Sequence, residues 1–233
     1  MRKVLETMKL LVISSMVVAA LLLGVQSTSH ALTLGFNDFV NPVFYVTDNQ
    51  AGVDLNPLVG VITFSGPIGN WIVDVTTGIS KPVIGSAADP QIDLNSVNVT
   101  SAAGGHLRFG VVDSGFTGPI NGGVAGPFTF AVGGTTSGTA FFDMFGEDAN
   151  TENFTGNIFA SLGPFSTLAF SGTTSGSFSA TAPFSLGIIA DITHTGPVAT
   201  SFDATLKVPE PSLLILLGSG LIGLVGLRRR FKK

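Results

Sequence analysis

Cysteine is absent from all 233 residues. That excludes a disulfide framework, a lipid-bearing cysteine anchor, a thiol nucleophile and a thiolate-ligated metal. Charge is scarce as well, at 11% of the chain. Between Leu32 and Lys207 the only cations are Lys81, Arg108 and Lys207, against thirteen Asp and Glu, a balance of −10. Phosphate contacts need clustered cations, so nucleic acid is excluded as a partner. Trp71 and Tyr45 are the only residues of their kind. Strong helix formers are few in this stretch, and no window holds a sustained 3.6-residue period.

What is present is glycine (30 residues), phenylalanine (19) and hydrophobic residues generally (45%). Part of that apolarity sits at the two ends. Arg2 and Lys3 open a basic leader, Leu10–Val25 is an apolar run, and Ser29-His30-Ala31 has the small-x-small form of a signal-peptidase site. Residues 1–31 therefore read as a secretory signal peptide cut after Ala31.

The 176 residues from Leu32 to Lys207 read as one exported domain. Proline and glycine punctuate it at short intervals, which suits many short strands. Trp71, Val73 and Val75 alternate with polar residues, as do Val97 and Val99, then Leu107, Phe109 and Val111, then Phe202, Ala204 and Leu206. A run at Gly60–Ser65 ends before Gly66-Pro67, which reads as a turn. Strands with one face buried predict an all-β, antiparallel β-sandwich, with a jelly-roll-like arrangement as the near competitor. Thr129–Gly138 and Thr167–Gly176 echo one another and predict two equivalent hairpins.

The last 26 residues have three parts. Val208-Pro209-Glu210-Pro211 cannot lie inside a helix. The apolar run Ser212–Leu227 follows, and Leu213–Leu227 would span about 22 Å as a helix, short of the roughly 30 Å hydrocarbon core. Five cations among residues 228–233, Arg228, Arg229 and Arg230 first, can snorkel to the headgroups and extend the span. A cationic cluster beside a span stays in the cytoplasm. The segment before the helix is expected to be extended and exposed.

These three parts, in this order, resemble the PEP-CTERM sorting signal of exopolysaccharide-producing Gram-negative bacteria. The resemblance implies that an exosortase, an inner-membrane cysteine protease, cuts near Pro209-Glu210-Pro211 and releases or transfers the body. Stretches within 69–99 are also similar to PEP-CTERM proteins whose function is unknown.

Candidate chemistry in the body is thin. His106 shares the polar side of a strand with Arg108 and reads as part of a solvated pair, and His194 precedes a Thr195-Gly196-Pro197 turn; neither reads as catalytic. No Gly-x-Ser-x-Gly elbow is present. Asp148, Asn150 and Glu152, at i, i+2 and i+4, offer oxygens in the way the first half of a calcium loop does, although the rest of that pattern fails. The competing reading is a solvated loop that protects a sheet edge. Trp71 reads as core, with stacking on a sugar as its functional alternative, an alternative Tyr45 shares.

Together these features predict an exported, non-enzymatic surface or extracellular-matrix protein associated with exopolysaccharide in a biofilm. It is first held at the inner membrane with its C-terminus cytoplasmic, and then reaches the cell surface or the medium. Its processing partners are signal peptidase and exosortase, and no cofactor is required. The alternatives are a carbohydrate- or calcium-dependent binding module and, further off, a glycan-active enzyme.

Overall fold

A computed structural model describes residues 32–209. Ala31 and the leader, and Glu210, Pro211, the apolar run and Arg228, Arg229 and Arg230, lie outside the described residues. Among the described residues no helix is long and apolar enough to cross a membrane.

Alternation at every second position builds the body. Among the described residues thirteen strands form: β1 (Thr33–Asn37), β2 (Phe44–Thr47), β3 (Val61–Ile68), β4 (Trp71–Ile79), β5 (Gln91–Ser101), β6 (Gly105–Phe116), β7 (Ile120–Asn121), β8 (Val124–Thr136), β9 (Thr139–Glu147), β10 (Asn157–Phe165), β11 (Ala169–Ser179), β12 (Phe184–His194) and β13 (Ala199–Lys207). They make two sheets, ordered β10-β9-β12-β6-β1-β2 and β11-β8-β13-β5-β4-β3, with β7 beside β8. Every pairing is antiparallel. The described residues therefore form an all-β, antiparallel sandwich, as the alternation predicted. Consecutive strands change sheets at β2–β3, β5–β6, β6–β7, β8–β9, β10–β11, β11–β12 and β12–β13, so the wiring crosses between the layers repeatedly.

The alternating sets meet between the layers. Val73, Val75, Val97, Val99, Leu107, Val111 and Leu206 are fully buried. Phe202 of the second sheet meets Phe142 edge-on at 4.8 Å and Phe109 at 5.7 Å, both from the first sheet. Each such ring contributes on the order of 1.5–3 kcal/mol by leaving water, which is how a chain without disulfides holds two sheets together.

Three expectations are corrected. The Gly66-Pro67 pair is no turn: β3 runs through it to Ile68, because β3 is an edge strand and an edge tolerates proline. Neither copy of the internal echo is a hairpin: after the first the chain passes from β8 to β9 in the other sheet, and at the second β11 passes straight through Gly172 and Gly176. A methyl on Gly172 would meet Leu162 and Phe165 at 3.1 Å, so this glycine makes room for β10 instead of turning the chain. His194, beside the expected turn, is 2% exposed at the end of β12. Finally, where the segment before the apolar run is described, at Val208 and Pro209, it is half-buried and not fully exposed; Glu210 and Pro211 lie outside the described residues. β13 pairs with β5 and β8 as far as Lys207, Val208 packs half-buried against the core, and its N–H donates to Pro90 O at 3.3 Å.

Candidate functional site: the outer face of the first sheet

The register lines up one outward row across all six strands of the first sheet: Tyr45, Gly35, Gly110, Ile189, Asp143 and Ser161. Gly35 and Gly110 stand side by side and leave a trough without side chains. Phe154, carried by the connection between β9 and β10, lies in it. A methyl on Gly35 would meet Phe154 Cε2 at 2.6 Å, and one on Gly110 would meet Cε1 at 2.9 Å. Phe154 is stacked with Tyr45 (centroids 6.2 Å apart, 23° between planes) and lies 5.9 Å from Phe145. With Val112, Phe145 and Ile189 it forms a second, smaller apolar cluster outside the main core.

Beside this ring opens a cavity of about 260 Å³. Its walls include Asn37, Val43, half-exposed Tyr45, Arg108, Asn153 and Thr155. Polar groups gather at one end. Arg108 grips Asp191 with both arms of its guanidinium, Nε to Oδ1 and Nη2 to Oδ2, each 2.9 Å. His106 Nε2 meets Asp191 Oδ1 at 2.9 Å, and Phe39 stacks over the imidazole at 4.4 Å. The hydrogen bond to Asp191 holds the Arg108 guanidinium even more firmly protonated than usual, against the opposing effect of burial. Two strands away, burial pushes the Asp143 carboxyl up, while the hydroxyl of Ser161 donates to it and partly offsets that.

The connection that delivers Phe154 explains where the calcium-like spacing leads. Asp148 accepts hydrogen bonds from the backbone and hydroxyl of Thr181, which draw its carboxyl below the usual range. Asn150 Oδ1 accepts from Gly115 N at 2.6 Å. Glu152 accepts from Ser114 Oγ at 3.1 Å and Thr33 Oγ1 at 3.2 Å. The three side chains are each engaged by protein donors, Asp148 by Thr181 before β12, Asn150 by Gly115 of β6, and Glu152 by Ser114 of β6 and Thr33 of β1, and not by one another. Among the described residues no group of three or more His, Cys, Asp or Glu could hold a metal ion. These oxygens strap the connection across the sheet and so place Phe154.

Trp71 is also corrected as a sugar platform. It is 2% exposed, and its indole packs against His194 at 4.8 Å. Tyr45 is the member of that pair that reaches the surface. In the sequence Phe154 is a lone aromatic in an acidic loop, with no local pattern to mark its role. The available signal was two glycines on the polar sides of otherwise regular strands. Of the sorting residues, Val208 and Pro209 are described, both half-buried.

No curated protein sequence matches the chain. Among solved structures it is similar to the CBM22-1–GH10 modules of endo-1,4-β-D-xylanase 10B from Clostridium thermocellum, complexed with xylohexaose (18% identity, 50% of this chain and 22% of that one, TM-score 0.28). It is similar to TmCBM61 in complex with β-1,4-galactotriose (10% identity, 60% and 90%, TM-score 0.28). A third is the K1 cleaved adhesin domain of Lys-gingipain from Porphyromonas gingivalis W83 (9% identity, 64% and 98%, TM-score 0.30). This chain spans well under a third of the xylanase structure's length. Residues 207–230 match the PEP-CTERM protein-sorting motif. The chain is thus a PEP-CTERM motif-bearing protein, and that motif implies export, a transient C-terminal membrane anchor and processing by an exosortase.

Proposed function

We propose that the protein is an exported, non-enzymatic surface or matrix component that associates with exopolysaccharide, and that it holds the glycan on the outer face of the first sheet. The observation that carries this reading is the cavity where Tyr45 and Phe154 adjoin Asn37, Arg108 and Asn153. Sugars present apolar C–H faces to aromatic rings and hydroxyls to planar amide and guanidinium groups. A recess with a mostly apolar wall and a few fixed polar groups suits that chemistry. The non-enzymatic part of the reading is supported by the partners of the nearby carboxylates. Asp191 is held by Arg108 and His106, and Asp143 by Ser161.

On this reading, signal peptidase cuts after Ala31 and exosortase near Pro209-Glu210-Pro211. The released body stays with the polysaccharide at the cell surface or in the matrix. The test is affinity electrophoresis of the purified protein through gels containing the host's own exopolysaccharide. Retardation is expected for the native chain and lost in Tyr45→Ala at unchanged melting temperature. A native chain that migrates identically with and without the polysaccharide sinks the reading.

A further inference from the structure

Past the Arg108 end of the cavity, the connection between β1 and β2 holds an aromatic ring in a strained pose. Phe39 has a φ of 60°. This left-handed backbone disfavours any residue with a bulky side chain and persists only where its surroundings enforce it. Hydrogen bonds within the loop do so. Asn37 Oδ1 accepts the N–H of Phe39 at 2.8 Å. Asp38 Oδ1 accepts from Val40 N at 3.1 Å and from Asn41 N at 2.7 Å, and its Oδ2 accepts from Asn41 Nδ2 at 2.7 Å. Asp38 is itself buried against Gly69, where a methyl would meet Oδ2 at 2.0 Å.

The ring held in this way is 52% exposed. One face lies on the imidazole of His106, with planes 14° apart, and Arg108 Cζ stands 6.0 Å from the ring centroid. His106 and Arg108 are both tied to Asp191, so the ring rests on a fixed base with its other face open. Strain and exposure both work against the fold, so packing alone does not account for a phenylalanine here. A second recess, of about 250 Å³, adjoins the ring and is lined by Phe39, Val40, Asn70, Trp71, Gly105 and His106. Arg108 lines the first recess and His106 the second, and Phe39 touches both side chains. Gly110, Arg108 and His106 alternate along β6 on its outward side. From Gly110 to His106 the strand covers about 13 Å, more than one sugar ring.

We propose that Phe39 is a second aromatic subsite, and that the outer face of the first sheet grips several consecutive sugars of one glycan chain. The inference rests on the glycan-binding reading above and extends it along the sheet. The apolar face of one sugar lies at Tyr45 and Phe154. The chain then passes the Arg108–Asp191 pair, and a later sugar stacks on the open face of Phe39. His106 fixes the angle of that ring from below, and Val40, 84% exposed, adds an apolar rim. Two contacts on one rigid face act together only on a ligand long enough to reach both, so affinity rises with chain length.

The test is calorimetric titration of the full-length protein with fragments of the host's exopolysaccharide, graded by length after partial acid hydrolysis. Phe39→Ala, checked for folding by its melting temperature, is expected to bind the longest fragments about tenfold more weakly than the native protein does, the worth of one aromatic contact. It is expected to bind the shortest fragments as the native protein does. Phe39→Tyr keeps the ring and should retain the long-fragment affinity. Tyr45→Ala should lose short and long fragments alike. Long-fragment affinity unchanged in Phe39→Ala overturns the proposal and leaves the glycan reading standing. A uniform loss at every length in Phe39→Ala also overturns it, because the ring would then only be shaping the first recess. A native protein that binds no fragment of any length removes the glycan reading, and this inference with it.

Discussion

Thr200 Oγ1 lies 2.9 Å from Nε2 of His194, and on the other side of the ring Nδ1 lies 2.9 Å from Ser101 Oγ. Thr136 Oγ1 continues the chain at 2.7 Å from Thr200, and Ser101 ends it by donating to Gly196 O at 2.8 Å. One direction satisfies every group. Thr136 donates to Thr200, Thr200 to Nε2, Nδ1–H to Ser101, and Ser101 to the carbonyl. The neutral imidazole with its proton on Nδ1 is therefore the fitting tautomer. The network joins β5, β8, β12 and β13 at one end of the sandwich.

Burial lowers the pKa of His194 from its ordinary 6.5. The unfolded chain then takes up a proton below about pH 6.5 that the folded chain refuses. This contribution is fully present above the unfolded value and is lost as pH falls toward the folded one. The melting temperature is expected to drop between pH 7.5 and pH 5. His194→Gln should be less stable at pH 7.5 and flatter across that window. Melting curves at half-unit steps check it, and an equal slope in both proteins contradicts the assignment.

Asp143 acts with the opposite sign. Its carboxyl is raised by burial, so its unfavourable contribution appears as pH climbs through the folded value. Asp143→Asn keeps an oxygen to accept from Ser161 and removes the charge. It is expected to melt higher than the native protein at pH 7 and indistinguishably near pH 4. A variant that melts lower at pH 7 would show that the charge is better stabilised than its burial suggests.

The fit of Phe154 over Gly35 is testable as a pair. Gly35→Ala places a methyl 2.6 Å from the ring and should cost about 1–3 kcal/mol, as overpacking does. In a Phe154→Ala background the same change should cost little, because the obstructing ring is gone. Chemical denaturation of the four proteins gives the coupling directly. Additive effects would mean that the ring does not rest there in solution.

Calcium should do nothing to the fold. Asp148, Asn150 and Glu152 already face Thr181, Gly115, Ser114 and Thr33. Melting temperatures in millimolar calcium and in EDTA are expected to coincide. Asp148→Ala should lower both alike. A rise with calcium that Asp148→Ala abolishes would restore a binding role to that loop.

Much of the sandwich was legible in the chain because burial on one face imposes a two-residue period. Trp71-Val73-Val75 and Phe202-Ala204-Leu206 are buried as that period requires. The site was not legible because its parts come from distant stretches. Gly35, Gly110 and Phe154 meet only through strand register and a loop that folds back over the sheet, and local pattern carries neither. Asp148, Asn150 and Glu152 misled for a related reason: regular spacing shows what a loop offers, not which partners accept it. Gly172 and Gly176 looked like turns because the room they make for β10 is invisible until the second strand is in place.

The position of β13 bears on the order of assembly. Among the described residues it is the last strand to leave the ribosome, yet it sits in the middle of its sheet, with β5 on one side and β8 on the other. Until it arrives, β3-β4-β5 and β8-β11 are separate ribbons with open edges. The sheet therefore closes only once translocation has brought out the residues adjoining the sorting motif. Membrane tethering and completion of the fold become nearly simultaneous events, and any pull from the anchor acts along an interior strand held on both sides.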